Sequence, residues 1–321
     1  MTESININLE NIAQNCNIYE SNNIQEIISN IDALEPKYNE NELVSIYNYM
    51  LSKCQNPEVL MYLIRCCDKY RKTSSLEYFV NILLLKNFSA TDNEKIKEKY
   101  LNVRIMCAKA IGNQKNNDFV TTLLYCLNNK NENYRVRLAC ADALGRIGNK
   151  YAVAPLIEVM KDENEKSVYL REGAASALGL IGDVRAIDPL VSILETKQGI
   201  MDKFSFLKER AIEALNKVGF GSNDRVFKAL KSSLSDESAQ VRIQAIEALM
   251  DSEHTEACDI IKNVLENDSD EEVKKNALIA LYNLSDRKIL DEVISSNKYS
   301  DILKTTATEI LDEYENGEHN D

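Results

Sequence analysis

A helical spacing of small and large apolar residues recurs seven times along the chain. Each copy starts at a valine or leucine, called the anchor here, with a small residue four positions later and leucine or isoleucine eight positions later. In six copies a further alanine stands at offset 7, and Ile310 replaces it in the seventh. Offsets of 0, 4, 7 and 8 form one stripe on an α-helix. The anchors are Val103, Val136, Leu170, Leu207, Val241, Val273 and Leu303.

A second apolar run follows the first in the most regular copies. Gly148 and Gly182 stand where a left-handed residue closes a helix, and Pro155 and Pro189 stand near the start of the next helix. Three copies share the second-helix positions Leu123, Leu124 and Leu127, then Leu156, Ile157 and Met160, then Leu190, Val191 and Leu194. The pattern predicts an all-α fold, an α-solenoid of stacked helical hairpins.

The repeat also predicts how the chain is divided. Residues 101–312 hold the seven repeats, the last of them terminal and partial, and residues 313–321 form an acidic tail. Residues 24–100 lack the anchor pattern but read as helices, with Asn56 before a proline as one helix start, so they are divergent repeats or a helical cap. The Asn-rich residues 1–23 are expected to be partly disordered.

The copy from Val136 to Leu156 and the copy from Leu170 to Leu190 resemble the HEAT-like repeat found in phycobilisome lyases. The resemblance implies the solenoid architecture and says little about function, because one fold serves many functions. It also implies an alternative function as a bilin lyase or chaperone-like subunit, since phycobilin lyases attach or remove linear tetrapyrroles. A small-molecule bilin ligand is expected only under that alternative.

The net charge of −13 and the pI near 4.9 argue against nucleic acid, because phosphate binding depends on Lys and Arg. No run of about 18 apolar residues reads as a membrane span, and the N-terminus lacks the pattern of a signal peptide. We therefore expect a cytoplasmic chain with a protein partner and no membrane contact.

The chemistry-bearing residues do not form a recognisable catalytic or metal motif. The eight cysteines contain no Cys-x-x-Cys pair, and the two histidines are His254 and His319. The deoxyhypusine hydroxylases, HEAT-repeat enzymes, use several His-Glu pairs, whereas here the order is reversed, as in Glu253-His254. HEAT-like DNA glycosylases use a basic face, which the charge disfavours. The sequence predicts no metal, no cofactor and no catalytic residue.

A cation follows every anchor and forms a ladder along the repeats: Arg104, Arg137, Arg171, Lys208, Arg242, Lys274 and Lys304. Such a row could bind phosphate. Carboxylates in the turns between repeats, such as Asp236 and Asp268, offer a structural explanation, in which the cations pair with those turns or with helix ends. We expect the structural role.

The exposed face of the second helices, which usually lines the concave side of such an array, is the predicted partner-binding surface. The position after the apolar pair gives Tyr125, Glu158 and Ser192, and one turn later stand Asn128, Lys161 and Glu195. In the longest connection, Phe206 is expected to tuck under the next helix, while Ile200, Met201 and Phe204 are candidates for an apolar contact patch. The sequence favours a non-enzymatic protein-binding scaffold or adaptor.

Overall fold

The structure is a computed structural model that describes residues 8–20, 23–86, 94–196, 205–285 and 287–317. These residues form helices joined by turns, and no strand occurs among them. The chain divides into two compact units, Met1–Pro155 and Leu156–Asp321, which are called unit 1 and unit 2 and are described separately.

Unit 1 is built from pairs of helices joined by short turns. Its helices are α1 (Leu9–Asn15), α2 (Ile24–Asp32), α3 (Glu40–Lys53), α4 (Pro57–Tyr70), α5 (Leu76–Leu83), α6 (Glu94–Lys99), α7 (Leu101–Asn113), α8 (Val120–Asn128) and α9 (Tyr134–Ile147). The boundary between the units falls within α10 (Val153–Lys161).

Unit 2 continues with the same alternation of first and second helices. Its helices are α11 (Val168–Ile181), α12 (Ile187–Glu195), α13 (Ser205–Val218), α14 (Asp224–Ser233), α15 (Ala239–Met250), α16 (Ala257–Asn267), α17 (Glu271–Ser285), α18 (Lys288–Ser295) and α19 (Asp301–Gly317). Successive first helices of the unit pack on one another, as α11 does on α13 and α13 on α15.

The anchors share one register in the structure. Each of the seven is the third residue of its first helix, in α7, α9, α11, α13, α15, α17 and α19, and none is more than 1% exposed. The residues at offsets 4, 7 and 8 are buried as well, except in α19, where Ile310 and Leu311 are half-buried. The predicted apolar stripe is therefore the packing face of the first helices.

Small residues allow the first helices to approach closely. A Cβ built on Gly112 of α7 would lie 2.7 Å from the Cα of Ala143 on α9, which is closer than two non-bonded carbon atoms can approach. On α11, a Cβ at Gly179 would lie 2.8 Å from the Cα of Ala214 on α13. Backbone meets backbone at both places, so these positions accept no side chain without moving a helix.

The ends of the first helices are also fixed at constant offsets. Three residues before the anchor, the side chain of Ser167, Ser238 or Asp270 accepts a hydrogen bond from the anchor's backbone N–H, at 3.1 to 3.4 Å. Twelve residues after the anchor, Lys115, Gly148, Gly182 and Gly219 have positive φ angles of 52° to 78°. Glycine adopts this conformation without a Cβ clash, which explains its presence in three of the four copies.

The helix α4 follows the same register, although its sequence has Leu60 in place of the cation and Leu63 in place of the small residue at offset 4. Val59 is its third residue and is fully buried, Asn56 three residues earlier caps the helix, and Arg71 twelve residues later has φ 50°. Its partner α5 is preceded by a 3-10 turn, as α8, α10 and α12 are. The all-α fold of stacked HEAT-like hairpins is confirmed, while the exact repeat boundaries stay a prediction.

Candidate partner-binding surfaces

The second helices α8, α10 and α12 each begin after a short 3-10 turn. Asn116, Asn149 and Asp183 each accept a hydrogen bond from the backbone N–H two residues later, at 2.9 to 3.0 Å. Each of these contacts opens a 3-10 turn that leads into α8, α10 or α12. One short polar side chain thus defines each of these three turns.

Three arginines of the cationic ladder contact the C-terminal ends of second helices. The buried guanidinium groups of Arg104, Arg137 and Arg171 each donate from Nε to a backbone carbonyl at 2.8 Å. The acceptors are Leu83, Leu127 and Met160, which lie in the last turns of α5, α8 and α10. A cation at a helix C-terminus satisfies a free carbonyl and complements the helix dipole.

The remaining contacts of the ladder also lie within the chain. Arg104 binds Glu132 through both terminal nitrogens, Lys208 Nζ lies 2.5 Å from Asp236 Oδ2, Arg242 forms two bonds of 2.8 and 2.9 Å to Asp268, and Lys274 lies 3.5 Å from Glu271. In six of the seven cations, all but Lys304, these contacts compete with any phosphate for the positive charge. The geometry supports the structural role expected for the ladder.

In unit 1, the predicted contact residues Tyr125 and Asn128 lie exposed on α8. Tyr125 is 67% exposed, and within the described part of the chain its hydroxyl makes no hydrogen bond. Leu124, expected to be buried beside it, is half-buried because it lies on the flank of the helix. The ring of Tyr125 is therefore available for contact with a partner.

In unit 2, the predicted residues differ in their environments. Glu158 and Lys161 are exposed on α10, and Ile157, expected to be buried, is half-buried. Ser192 on α12 is half-buried, and its hydroxyl donates to the carbonyl of Pro189 at 2.6 Å. Glu195 is exposed but forms an ion pair of 3.0 Å with Arg225 of α14. Of these four predicted contact residues, Glu158 and Lys161 therefore extend their charged groups into solvent.

A shallow groove brings Lys161 and Ser192 together. Its volume is about 150 Å³, and it is lined by Lys161, Glu163, Arg171, Ser192, Ile193, Thr196, Leu207 and Lys208. Pockets that enclose drug-sized molecules usually measure about 300–1,000 Å³. The groove can therefore seat a side chain of a partner rather than enclose a whole ligand.

The expectation that Phe206 tucks under the next helix is wrong. Phe206 is the second residue of α13 and is 56% exposed. It immediately precedes the anchor Leu207, and one residue turns the helix by about 100°, which takes the ring off the buried stripe. Ile200, Met201 and Phe204 lie outside the described residues, so the apolar patch assigned to them stays a prediction.

The sequence interpretation missed a second surface, on the first helices of unit 2. The residue before the anchor is exposed in every copy, and in α11 and α13 it is aromatic, Tyr169 and Phe206. Carboxylates follow on the same side of these helices and of α15: Glu172, Glu209, Glu213 and Glu247. An apolar residue at offset −1 was the available signal, because that offset lies outside the stripe.

Most thiols and the histidine of the described residues lie among packed side chains. All eight cysteines are free, and six of them are buried. Burial raises the pKa of Cys66 to about 11 and that of Cys67 to about 12, so neither is a reactive thiolate at neutral pH. The imidazole of His254 stacks on Phe227 with ring centroids 4.0 Å apart. Across the described ranges, no three His, Cys, Asp or Glu side chains converge as metal ligands would.

Among the residues that the structure describes, no helix is both long and apolar enough to cross a bilayer.

The family model for HEAT repeats matches residues 95–168, 130–215 and 198–282, which together make up more than half of the chain. The chain belongs to the HEAT-repeat family. This membership confirms the resemblance seen in the sequence and accounts for the common register of the first helices. A comparison with curated proteins finds no match for this HEAT-repeat chain.

Solved structures share the architecture at low sequence identity. Kap121p is 13% identical with a TM-score of 0.52, over 93% of this chain and 36% of Kap121p. The complex of CpcE and CpcF of phycocyanin lyase from Nostoc sp. PCC7120 is 20% identical with a TM-score of 0.44, over 74% and 87% of the two chains. Human deoxyhypusine hydroxylase is 15% identical with a TM-score of 0.34, over 86% and 95%. The chain thus spans about a third of Kap121p, and that likeness shows the fold alone.

Proposed function

We propose that this HEAT-repeat protein is a non-enzymatic scaffold or adaptor that binds a protein partner through the exposed face of its second helices. The observation that carries the proposal is the contrast between the ladder and this face. Six of the seven ladder cations, all but Lys304, contact carbonyls or carboxylates of the chain itself, whereas the side chains of Tyr125 and Glu158 are exposed and make no hydrogen bond or ion pair within the described residues.

The chemistry of the face suits a protein surface. Tyrosine contributes a large, rigid apolar area with a polar tip, and such residues concentrate binding energy at protein interfaces. Asn128 and Lys161 are exposed one turn after Tyr125 and Glu158 and supply polar contacts at the rim. The groove of about 150 Å³ beside Ser192 could accept one anchoring side chain. The net charge of −13 makes a protein a better partner than nucleic acid.

Affinity capture from native cytosol, followed by mass spectrometry, would identify the partner and allow the face to be tested. We expect Tyr125→Ala to reduce capture most and Glu158→Lys to reduce it as well, because each removes or reverses an exposed contact. Both variants should keep the helicity and melting temperature of the wild type, since neither side chain is buried.

The matched control is Lys274→Ala on the ladder, where the side chain pairs with Glu271 of its own helix. Its effect should be on stability, by at most about 1 kcal/mol, with capture unchanged. Loss of capture in Lys274→Ala together with normal capture by the Tyr125 and Glu158 variants would show that the ladder, and not this face, holds the partner.

A further inference from the structure

The first helices of unit 2 carry a row of carboxylates that the chain neutralises incompletely. Glu172 on α11, Glu209 and Glu213 on α13, and Glu247 on α15 stand at offsets 2 or 6 from their anchors, so they follow one another across the three packed helices. Within the described residues, Arg210 is the cation placed in this row, with NH1 2.7 Å from Glu213 Oε2. The charge of Arg210 also acts on Glu172 and Glu209, whereas Glu247 has no cation and accepts a hydrogen bond from Gln244 Nε2 at 2.9 Å within the described residues.

Glu209 shows most directly that the row lacks positive charge. It is 7% exposed, and the described residues give its carboxylate no hydrogen bond. Burial raises its pKa, Arg210 opposes that shift, and the charges of Glu213 and Glu172 add to it. Burial also raises the pKa values of Glu172 and Glu247. The Glu209 side chain is largely buried while its oxygens still reach solvent, so a cation supplied from outside could approach them and offset the cost of burial.

Two exposed aromatic rings stand beside the row. Tyr169 is 66% exposed and Phe206 is 56% exposed, each three residues before a glutamate of the row, which is one helical turn on the same face. A cation is attracted to an aromatic face within about 6 Å of its centre. Five tyrosines already have such a cation from the chain: Tyr49, Tyr62, Tyr70, Tyr100 and Tyr299. In the described part of the protein, neither Tyr169 nor Phe206 has one.

We propose that Tyr169, Phe206, Glu172, Glu209, Glu213 and Glu247 form a binding surface for a Lys- or Arg-rich segment of a protein partner. Adjacent packed helices lie about 8–10 Å apart, so a row over three helices matches an extended segment that carries several cations. The rings hold the cationic side chains by their faces, and the carboxylates neutralise them. The proposal rests on the partner-binding function proposed above, and it assigns that function a second surface and a partner chemistry.

The charge of the row is tested with fluorescein-labelled octalysine and octaarginine, by fluorescence anisotropy at physiological salt. The variant is the triple substitution Glu172→Gln, Glu209→Gln and Glu247→Gln. The matched control, Glu237→Gln, Glu253→Gln and Glu309→Gln, changes the net charge equally at exposed positions elsewhere in unit 2. We expect at least ten-fold weaker binding for the row variant and less than two-fold for the control. Equal weakening would show general attraction to an acidic protein and overturn the proposal.

The rings are tested separately with the same peptides. Tyr169→Ala combined with Phe206→Ala should weaken binding at least three-fold, while Tyr151→Ala, which removes an exposed tyrosine in unit 1, should leave it unchanged. Spermine at equal total charge should compete at least ten-fold less well than octalysine. Equal competition would identify a small polycation as the ligand and contradict the assignment of a protein segment.

Folding and the second-helix face are separated from this surface by two further measurements. Glu209→Gln should lose peptide affinity while its melting temperature stays equal to or above that of the wild type, a result that unfolding cannot produce. Tyr125→Ala and Glu158→Lys should bind the peptides normally. If these two variants lost peptide binding and the row triple kept it, the row would be excluded and the second-helix face would be the basic-segment site.

Discussion

The hairpin of α4 and α5 in unit 1 and the hairpin of α11 and α12 in unit 2 hold their first helices in the same register with different sequences. Both first helices are capped three residues before the anchor, by Asn56 and Ser167, and closed by a left-handed residue twelve residues after it, Arg71 and Gly182. At offsets 1, 7 and 9, however, α4 has Leu60, Cys66 and Asp68 where α11 has Arg171, Ala177 and Gly179.

This difference in sequence distinguishes residues that define a single hairpin from residues that join neighbouring hairpins. The caps and the anchor are common to both hairpins, so they are what a single hairpin needs to start and stop its first helix. The small residues and the arginine of α11 act between hairpins, because Gly179 meets the backbone of α13 and Arg171 binds the end of α10. A hairpin can therefore lose the repeat signature in its sequence and keep the repeat geometry.

The largest difference between the two hairpins in the free energy of unfolding is expected for substitutions at offset 7. Ala177 is 1% exposed against a neighbouring helix, so Ala177→Leu should destabilise the protein by about 1–3 kcal/mol through overpacking. Cys66 at the same offset of α4 is half-buried, and Cys66→Leu should change the free energy of unfolding by less than about 1 kcal/mol. Thermal and urea unfolding measure both values. Equal losses would show that α4 is packed as tightly at this offset as α11.

A smaller effect of opposite sign is expected at offset 12. Arg71 adopts a left-handed conformation that costs an L-residue free energy, so Arg71→Gly should stabilise the protein by roughly 0.5–1 kcal/mol. Gly182→Ala should destabilise it by about 1 kcal/mol for the same reason. Urea unfolding of the two variants gives the comparison. A loss of stability in Arg71→Gly would mean that the arginine side chain contributes more than its backbone conformation costs.

The smallest effect concerns pH and offset 2, where α11 has Glu172 and α4 has Met61. Burial raises the pKa of Glu172 above 4.5, so the folded state binds its proton more readily than the unfolded state. The ionised side chain therefore lowers stability at neutral pH, and this cost disappears as the pH falls through the raised value.

Glu172→Gln should raise the melting temperature at pH 7.5, and its advantage should shrink as the pH is lowered towards 4.5. Met61→Gln introduces the same side chain in α4, where no carboxylate is replaced, and its effect should not vary with pH over this range. A constant difference between wild type and Glu172→Gln from pH 4 to pH 7.5 would contradict the raised pKa.

Much of the fold could be predicted because the buried stripe is a local property. Offsets of 0, 4, 7 and 8 in one helix are enough to recognise a first helix, and they identified seven. The hairpin of α4 and α5 does not show the repeat in its sequence, because it lacks the cation at offset 1 and the small residue at offset 4, which belong to contacts between hairpins. Its anchor Val59 and its cap Asn56 were visible in the sequence but are too common to identify a repeat alone.

The candidate surfaces could be predicted less well, because they depend on rotation and on contacts between elements. The exposure of Tyr125 follows from helical spacing, whereas the pairing of Glu195 with Arg225 depends on how α14 lies beside α12. Phe206 was misjudged because a hydrophobic residue beside a connection was assumed to be buried, although its offset placed it outside the stripe. The carboxylate row joins three helices, and no single helix displays it.

The bonds from Arg104, Arg137 and Arg171 to the ends of the preceding second helices have a consequence for the order in which the protein opens. Each arginine joins a first helix to the second helix of the preceding hairpin. Separating these two helices therefore breaks a buried hydrogen bond as well as an apolar contact. Lys274, by contrast, pairs within its own helix. Nearest-neighbour coupling should thus weaken along unit 2, and amide hydrogens should exchange fastest in α18 and α19 and more slowly towards α11. Fraying is therefore expected to begin in the helices that follow Arg242, the last arginine of the ladder.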